Sequence, residues 1–237
     1  MLGPDRRTMT RAQAEAAQID VGLRQYMLRV YNYMASGVAL TGIIAYAVAS
    51  SPAMIHAIFG TPFMYVVMLA PLAFVLVLSF GINRLSLFAT QAMFWLFAAA
   101  MGLSLSTIFV VYTGESIARV FFITAAAFGA LSLYGYTTKR DLTGFGSFLI
   151  MGLFGIIIAM VVNMFLHSSG LQFAVSVLGV LIFAGLTAYD TQRIKSMYWE
   201  GDGAEIAGKK AVMGALALYL DFINMMMLLM QFLGNRR

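Results

Sequence analysis

Two aspartates occupy positions where an ionised side chain is costly. Asp221 lies ten residues inside the apolar run from Ala211 to Leu233, about 15 Å deep at a helical rise of about 1.5 Å per residue. A charge near mid-membrane costs about 3 kcal/mol on insertion scales, so it faces a bundle interior or a cavity and has a partner there. Gly214, Ala217 and Asn224 fall on the same helical face; small residues let a neighbouring helix approach, and Asn224 adds a polar contact. The second aspartate, Asp190, ends one apolar run and opens the segment Thr191 to Tyr198, which lacks Pro and Gly and can prolong a helix. Residues equidistant from the centre of a turn between antiparallel helices lie at one depth. Asp190 and Asp221 are centred at 205.5, inside the turn expected over Gly201 to Gly208, so their carboxylates are predicted to face each other. The competing reading makes Asp190 an interfacial residue paired with Arg193 at i+3, an interaction of about 0.2–0.5 kcal/mol.

Two carboxylates in a low-dielectric site resist ionising together and titrate as a unit. Deprotonated, they offer the hard oxygen ligands that calcium takes, completed by carbonyls and water. A pair that exchanges protons for a cation can sense pH and gate a leak. Apposed carboxylates are also general acid–base machinery, as in paired-aspartate intramembrane proteases, but Asp221 follows Tyr219-Leu220 and the Gly-x-Gly-Asp pattern of those enzymes is absent. A serine protease needs serine and histidine at depth, whereas His56 and His167 fall in short outer loops. A retinal protein needs a lysine in the last span, and Ala211 to Leu233 has none. The chain has no cysteine, which excludes disulfides, thiolate metal sites and a cysteine nucleophile. Met225, Met226, Met227 and Met230 could offer thioethers to copper, but gap-filling packing is the ordinary use of such a patch. These exclusions favour a non-enzymatic protein with no bound cofactor.

The elements that must hold the aspartates follow from composition. Hydrophobic residues make up 61% and charged residues 11% of the 237, too little charge to cover a water-soluble domain. A bilayer core requires about 20 apolar residues per helix, and seven stretches qualify: Val30 to Ser50, Phe63 to Ile82, Leu85 to Val111, Ser116 to Tyr136, Phe145 to Leu166, Leu171 to Tyr189 and Ala211 to Leu233. The fold class is therefore all-α, a polytopic bundle of seven transmembrane helices. Residues 1–29 form a basic cytoplasmic tail, read either as disordered or, from the spacing of Ile19, Leu23 and Met27 with Val30 and a Thr10–Gln13 capping box, as a surface-lying helix; residues 30–237 form the membrane domain. With the N-terminus inside, twelve of the fifteen Lys and Arg fall on the inner side, a positive-inside bias that fixes N-in, C-out. That placement accounts for the net charge of +5 without nucleic acid. Arg236 and Arg237 dissent; had they drawn the C-terminus inward, the last segment would be a re-entrant hairpin.

The run Ala188-Tyr189-Asp190-Thr191-Gln192-Arg193-Ile194-Lys195 resembles the signature of the Bax inhibitor-one family, as does Tyr219-Leu220-Asp221-Phe222-Ile223-Asn224. The resemblance extends over essentially the whole chain and points to its bacterial branch. It implies a bundle with the last helix central, in the bacterial inner membrane, and a pH-sensitive calcium leak whose sensor is Asp190 with Asp221. It also implies an arginine latch onto the sixth-span aspartate, for which Arg84 in Asn83-Arg84-Leu85 is the best local match, although Arg84 also reads as an ordinary positive-inside loop residue. Arg193 and Asn224 would support the pair. The partners implied are the lipid bilayer, calcium ions and protons. Bacterial members have also been linked to membrane protease control and stress tolerance, which keeps a non-transporting regulator as the alternative. One departure is the interval of 31 residues between the aspartates, longer than in typical calcium-leak members, with the surplus in the charged, glycine-rich turn.

Overall fold

A computed structural model describes the backbone over residues 11–237 and the side chains from Val21 onward; Arg6, Arg7 and the side chains of the Thr10–Gln13 box lie outside the described residues. Nine helices are described: α1 Arg11–Ala49, α2 Pro52–Phe59, α3 Phe63–Gly81, α4 Leu87–Leu105, α5 Thr107–Val111, α6 Gly114–Thr137, α7 Thr143–Leu166, α8 Ser169–Ser196 and α9 Ala204–Leu233. Seven spans long and apolar enough to cross a membrane result, with α4 and α5 forming one of them across a break at Ser106.

Local chemistry sets the breaks. Ser51, Ser86, Thr113 and Ser168 each accept a hydrogen bond from a backbone N–H three residues on, satisfying donors that a helix start leaves free. Pro52 follows Ser51 at the first position of α2, where its missing N–H costs nothing. The sequence suggested a plain loop there; the capped Pro52–Phe59 segment instead forms a short helix that carries His56. The surface helix and first span expected as separate pieces are one unbroken helix, α1. Met27, Val30, Met34, Val38, Thr41, Ala45 and Val48 are buried along it, a stripe at steps of three and four that packs on the bundle from Met27 onward.

The last helix is the axis of the fold. Helix α9 packs against α8, α1, α6 and α4, whereas α3 and α7 stand outside. Buried Ala211, Gly214, Ala215 and Tyr219 show that it is enclosed on more than one face, while α7 presents Phe148, Met151, Phe154, Ile158 and Phe165 outward, the surface a bilayer would cover. Gly135 is where α6 crosses α8: a Cβ there would collide with the Ala188 carbonyl, so glycine is what permits the approach.

The turn before α9 differs from the expected Gly201 to Gly208 loop. It spans residues 197–203, and Gly208 is buried inside α9 against Leu87. Ala204 to Ala207 is good helix sequence, Glu205 complements the helix N-terminus, and Glu205 pairs with Lys209 at 2.8 Å. Helix α9 therefore starts seven residues before Ala211 and overhangs the end of α8. At its other end it is anchored: Asn235 N donates to Ser116 Oγ (2.9 Å), Thr113 N to Asn235 O (3.2 Å) and Arg237 N to Val111 O (2.9 Å). The 112–113 loop lies three spans away from the 197–203 turn along an alternating path, so the two are at opposite ends and α9 crosses the whole bundle. That excludes the re-entrant hairpin.

Candidate functional site

Helices α8 and α9 run antiparallel and in contact along their length. Ser176 Oγ donates to Gln231 Oε1 at 3.1 Å near one end, and Ile194 packs on Gly214 near the other. These pairs have midpoints of 203.5 and 204, so the register that aligns Asp190 with Asp221 survives the shift of the turn. The two side chains meet within hydrogen-bond reach. Two carboxylates are acceptors only, so the contact becomes a hydrogen bond when one oxygen carries a proton. A shared proton is what this geometry accommodates.

Both readings of Asp190 hold at once. Besides facing Asp221, Asp190 forms an ion pair with Arg193, its Oδ1 3.2 Å from the guanidinium, with the Asp190 side chain 13% and the Arg193 side chain 48% exposed. Asp221 is 4% exposed, and its Oδ2 is buried without a hydrogen-bond partner among the described residues. Such an atom is costly to leave unmet, about 1–3 kcal/mol and more when charged.

Asp221 lines a groove of about 490 Å³ between α7, α8 and α9. Helix α9 contributes Ala217, Asp221, Asn224, Leu228 and Gln231 to its wall, a stripe about 21 Å long at about 1.5 Å per residue. Helix α7 supplies the opposite, apolar wall through Leu153, Ile156 and Met160, and Asp190 with Arg193 closes the end nearest the 197–203 turn. The groove exists because α7 packs on α8 and stands off α9. Asp190, Arg193 and Asp221 are the charged side chains lining it.

Of the sequence-derived site residues, Asp190, Asp221, Asn224 and Arg193 come together here. Arg84 does not. It is exposed in the turn between α3 and α4, and none of the ion pairs among the described residues involves it. Helix α3 packs on α4 and α2, away from α8, and the latch position on Asp190 is held by Arg193. Gln231 was missed, although its spacing of three and seven from Leu228 and Asn224 continues the stripe from Asp221. Met225 and Met230 are fully buried and Met226 and Met227 half-buried among apolar neighbours, as packing requires. Among the described residues no three His, Asp or Glu gather as a metal cluster, and His56 and His167 are both exposed.

A seven-span helical bundle with a central last helix and an intramembrane carboxylate pair defines the class: a polytopic membrane protein with an ionisable site in its interior. Residues 23–237 match the family described as Inhibitor of apoptosis-promoting Bax1. The chain is 52% identical to a Rickettsia prowazekii protein over 218 residues, 92% of each chain. It is 48% identical to the inner membrane protein YbhL of Escherichia coli over 219 residues, 91% of this chain and 94% of that one. A Caulobacter vibrioides protein is 47% identical over 92% of each. The chain belongs to the Bax inhibitor-one family.

Proposed function

We propose that this protein is a transporter rather than an enzyme: a pH-sensitive calcium leak of the bacterial inner membrane, oriented N-in and C-out, with the Asp190–Asp221 pair as its sensor and cation site. The observation that carries this reading is the groove along α9, with two facing carboxylates at one end and Asn224 and Gln231 further along it. Calcium, as cargo, takes six to eight oxygens. Two carboxylates, amide oxygens and water make a partial set, suited to an ion that must leave as readily as it enters. When the pair holds its shared proton, Asp190, Asp221 and Arg193 sum to zero charge; loss of that proton leaves a net negative site for a cation. Protonation of Asp190 instead frees Arg193, which closes the groove at its inner end. Either change alters conduction, and Arg193 is the charged residue facing the pair from the elements around the groove. The inner-membrane placement follows the named Escherichia coli relative and the distribution of Lys and Arg.

Purified protein in liposomes loaded with a calcium-sensitive dye tests this directly. A flux that varies with external pH is expected, and Asp221→Asn removes that variation. Equal, pH-independent leakage through both proteins would refute the channel and favour a non-transporting regulator of a membrane protease or stress response.

A further inference from the structure

A second cavity lies beside the aspartate site. It has a volume of about 310 Å³ and is formed by the turn between α6 and α7 and the last turns of α8, with Lys139, Arg140 and Arg193 on its walls. The turn is held rigidly. Gln192 Nε2 donates to the Arg140 carbonyl at 2.8 Å, and Gln192 Oε1 accepts from Leu142 N at 2.8 Å. One side-chain amide thus fixes both strands of the turn that displays Lys139 and Arg140, so little ordering is left to be done when a ligand arrives.

The charge in this cleft is unbalanced. Asp141 is the only acid among the described residues that line it, and that carboxylate is already engaged: Oδ1 accepts from Thr143 N at 2.8 Å, and the bonds from Thr143 lower its pKa from the ordinary aspartate value. Lys139, Arg140 and Arg193, the last also paired with Asp190, therefore face one carboxylate committed to the start of α7. Two guanidinium groups and an ammonium converging on a cleft match the oxygens of a phosphate group, which guanidinium binds in paired, charge-assisted hydrogen bonds. Basic pockets between helices at the inner membrane surface are a recurrent site for phosphorylated head groups.

Arg193 connects this cleft to the groove, since it lines both cavities. Its guanidinium lies 5.8 Å from the Tyr189 ring centroid and contacts Asp190 through one nitrogen, which leaves donors free. We propose that the cleft binds a phosphate group through Lys139, Arg140 and Arg193, and that a bound phosphate competes with Asp190 for Arg193. Phosphate binding would then regulate the aspartate pair; that consequence, unlike the binding itself, rests on the function proposed above.

Two sources of phosphate are possible, a soluble compound and a lipid head group, and the test separates them without measuring calcium flux. In one arm, equilibrium binding of radiolabelled pyrophosphate is measured on the purified protein in uncharged detergent. In the other, native mass spectrometry counts phosphatidylglycerol retained after extraction from vesicles of phosphatidylcholine doped with it. Saturable binding is expected in at least one arm, and which one identifies the source. The double substitution Lys139→Gln, Arg140→Gln should weaken it at least about tenfold, the effect of about 1.4 kcal/mol; both side chains are exposed, and the Gln192 clamp uses only backbone atoms of the turn. Asp190→Asn, which frees Arg193, should tighten binding several-fold. No binding in either arm, or binding untouched by the double substitution, overturns the site. Binding lost in the double variant but unchanged in Asp190→Asn overturns the competition.

Discussion

Helix α9 presents two polar groups two residues apart, on nearly opposite faces, and they are treated in opposite ways. Tyr219 is fully buried toward α1 and α4. Its hydroxyl bonds Thr41 Oγ1 at 2.7 Å, and Thr41 Oγ1 in turn donates to the Ala98 carbonyl at 2.8 Å. The Phe94 and Phe97 rings meet the Tyr219 ring edge-on at 6.5 and 5.0 Å between centroids. Asp221, toward α7 and α8, borders a cavity with one oxygen unpartnered. Buried polar groups are almost always hydrogen-bonded, and the Tyr219 face obeys that rule completely. The lesson is a contrast within one helix: one face of α9 fastens the bundle, and the other leaves a polar group without a partner, as the proposed exchange of a proton for a cation requires.

The sharpest way to break this comparison is to remove each side chain. Tyr219→Ala should destabilise by about 3–5 kcal/mol, the usual loss for a large buried aromatic, measured by thermal unfolding in detergent. Asp221→Leu, with the same branched heavy-atom skeleton and a groove beside it to take the larger methyl groups, deletes an unmet buried carboxylate and should leave stability unchanged or raise it, while eliminating pH-dependent flux. A loss from Asp221→Leu as large as that from Tyr219→Ala would make the aspartate a structural fastener. Next in size is Gly135→Ala at the α6–α8 crossing. Its new Cβ meets the backbone of Ala188 rather than a flexible side-chain end, so the helices must separate, at about 1–3 kcal/mol. Because Ala188 precedes Asp190 by two residues, the displacement should also disturb the flux; a variant with unaltered Tm and flux would show that this crossing yields easily.

The sequence made the seven spans legible because apolar runs of bilayer length are long and uninterrupted, and Ser, Thr and Pro mark most of their ends. The aspartate pairing was legible for a different reason: antiparallel register depends on the midpoint of a hairpin, which is insensitive to how the turn is divided between coil and helix. That insensitivity also hid the true turn. Gly208 reads as a loop residue by type, and only its packing on Leu87 reveals it as a helix contact. The continuity of α1 across Arg29 was obscured because exposed arginines and a buried stripe share that helix. The groove itself could not be read at all. It exists because α7 stands off α9, and no residue pattern within α7 states which neighbour it will leave untouched.

The smallest expected effect on stability concerns the two arginines, and it bears most directly on the functional face of α9. Arg193 is half-exposed and pairs with Asp190, and an exposed ion pair is worth about 0.2–1 kcal/mol, so Arg193→Gln should barely move the unfolding midpoint. It should nevertheless shift the pH at which flux changes, because the guanidinium is the one positive charge beside the aspartates among the described residues and favours their ionised form. Removing it makes deprotonation harder, and the transition should move to higher pH. Arg84→Gln, in an exposed turn with no ion-pair partner among the described residues, should change neither stability nor the pH profile. Liposome flux across a pH series on both variants separates the two positions. An Arg84→Gln shift equal to that of Arg193→Gln would mean that Arg84 reaches Asp190 in the conducting state, through a movement of α3 across the face of the bundle.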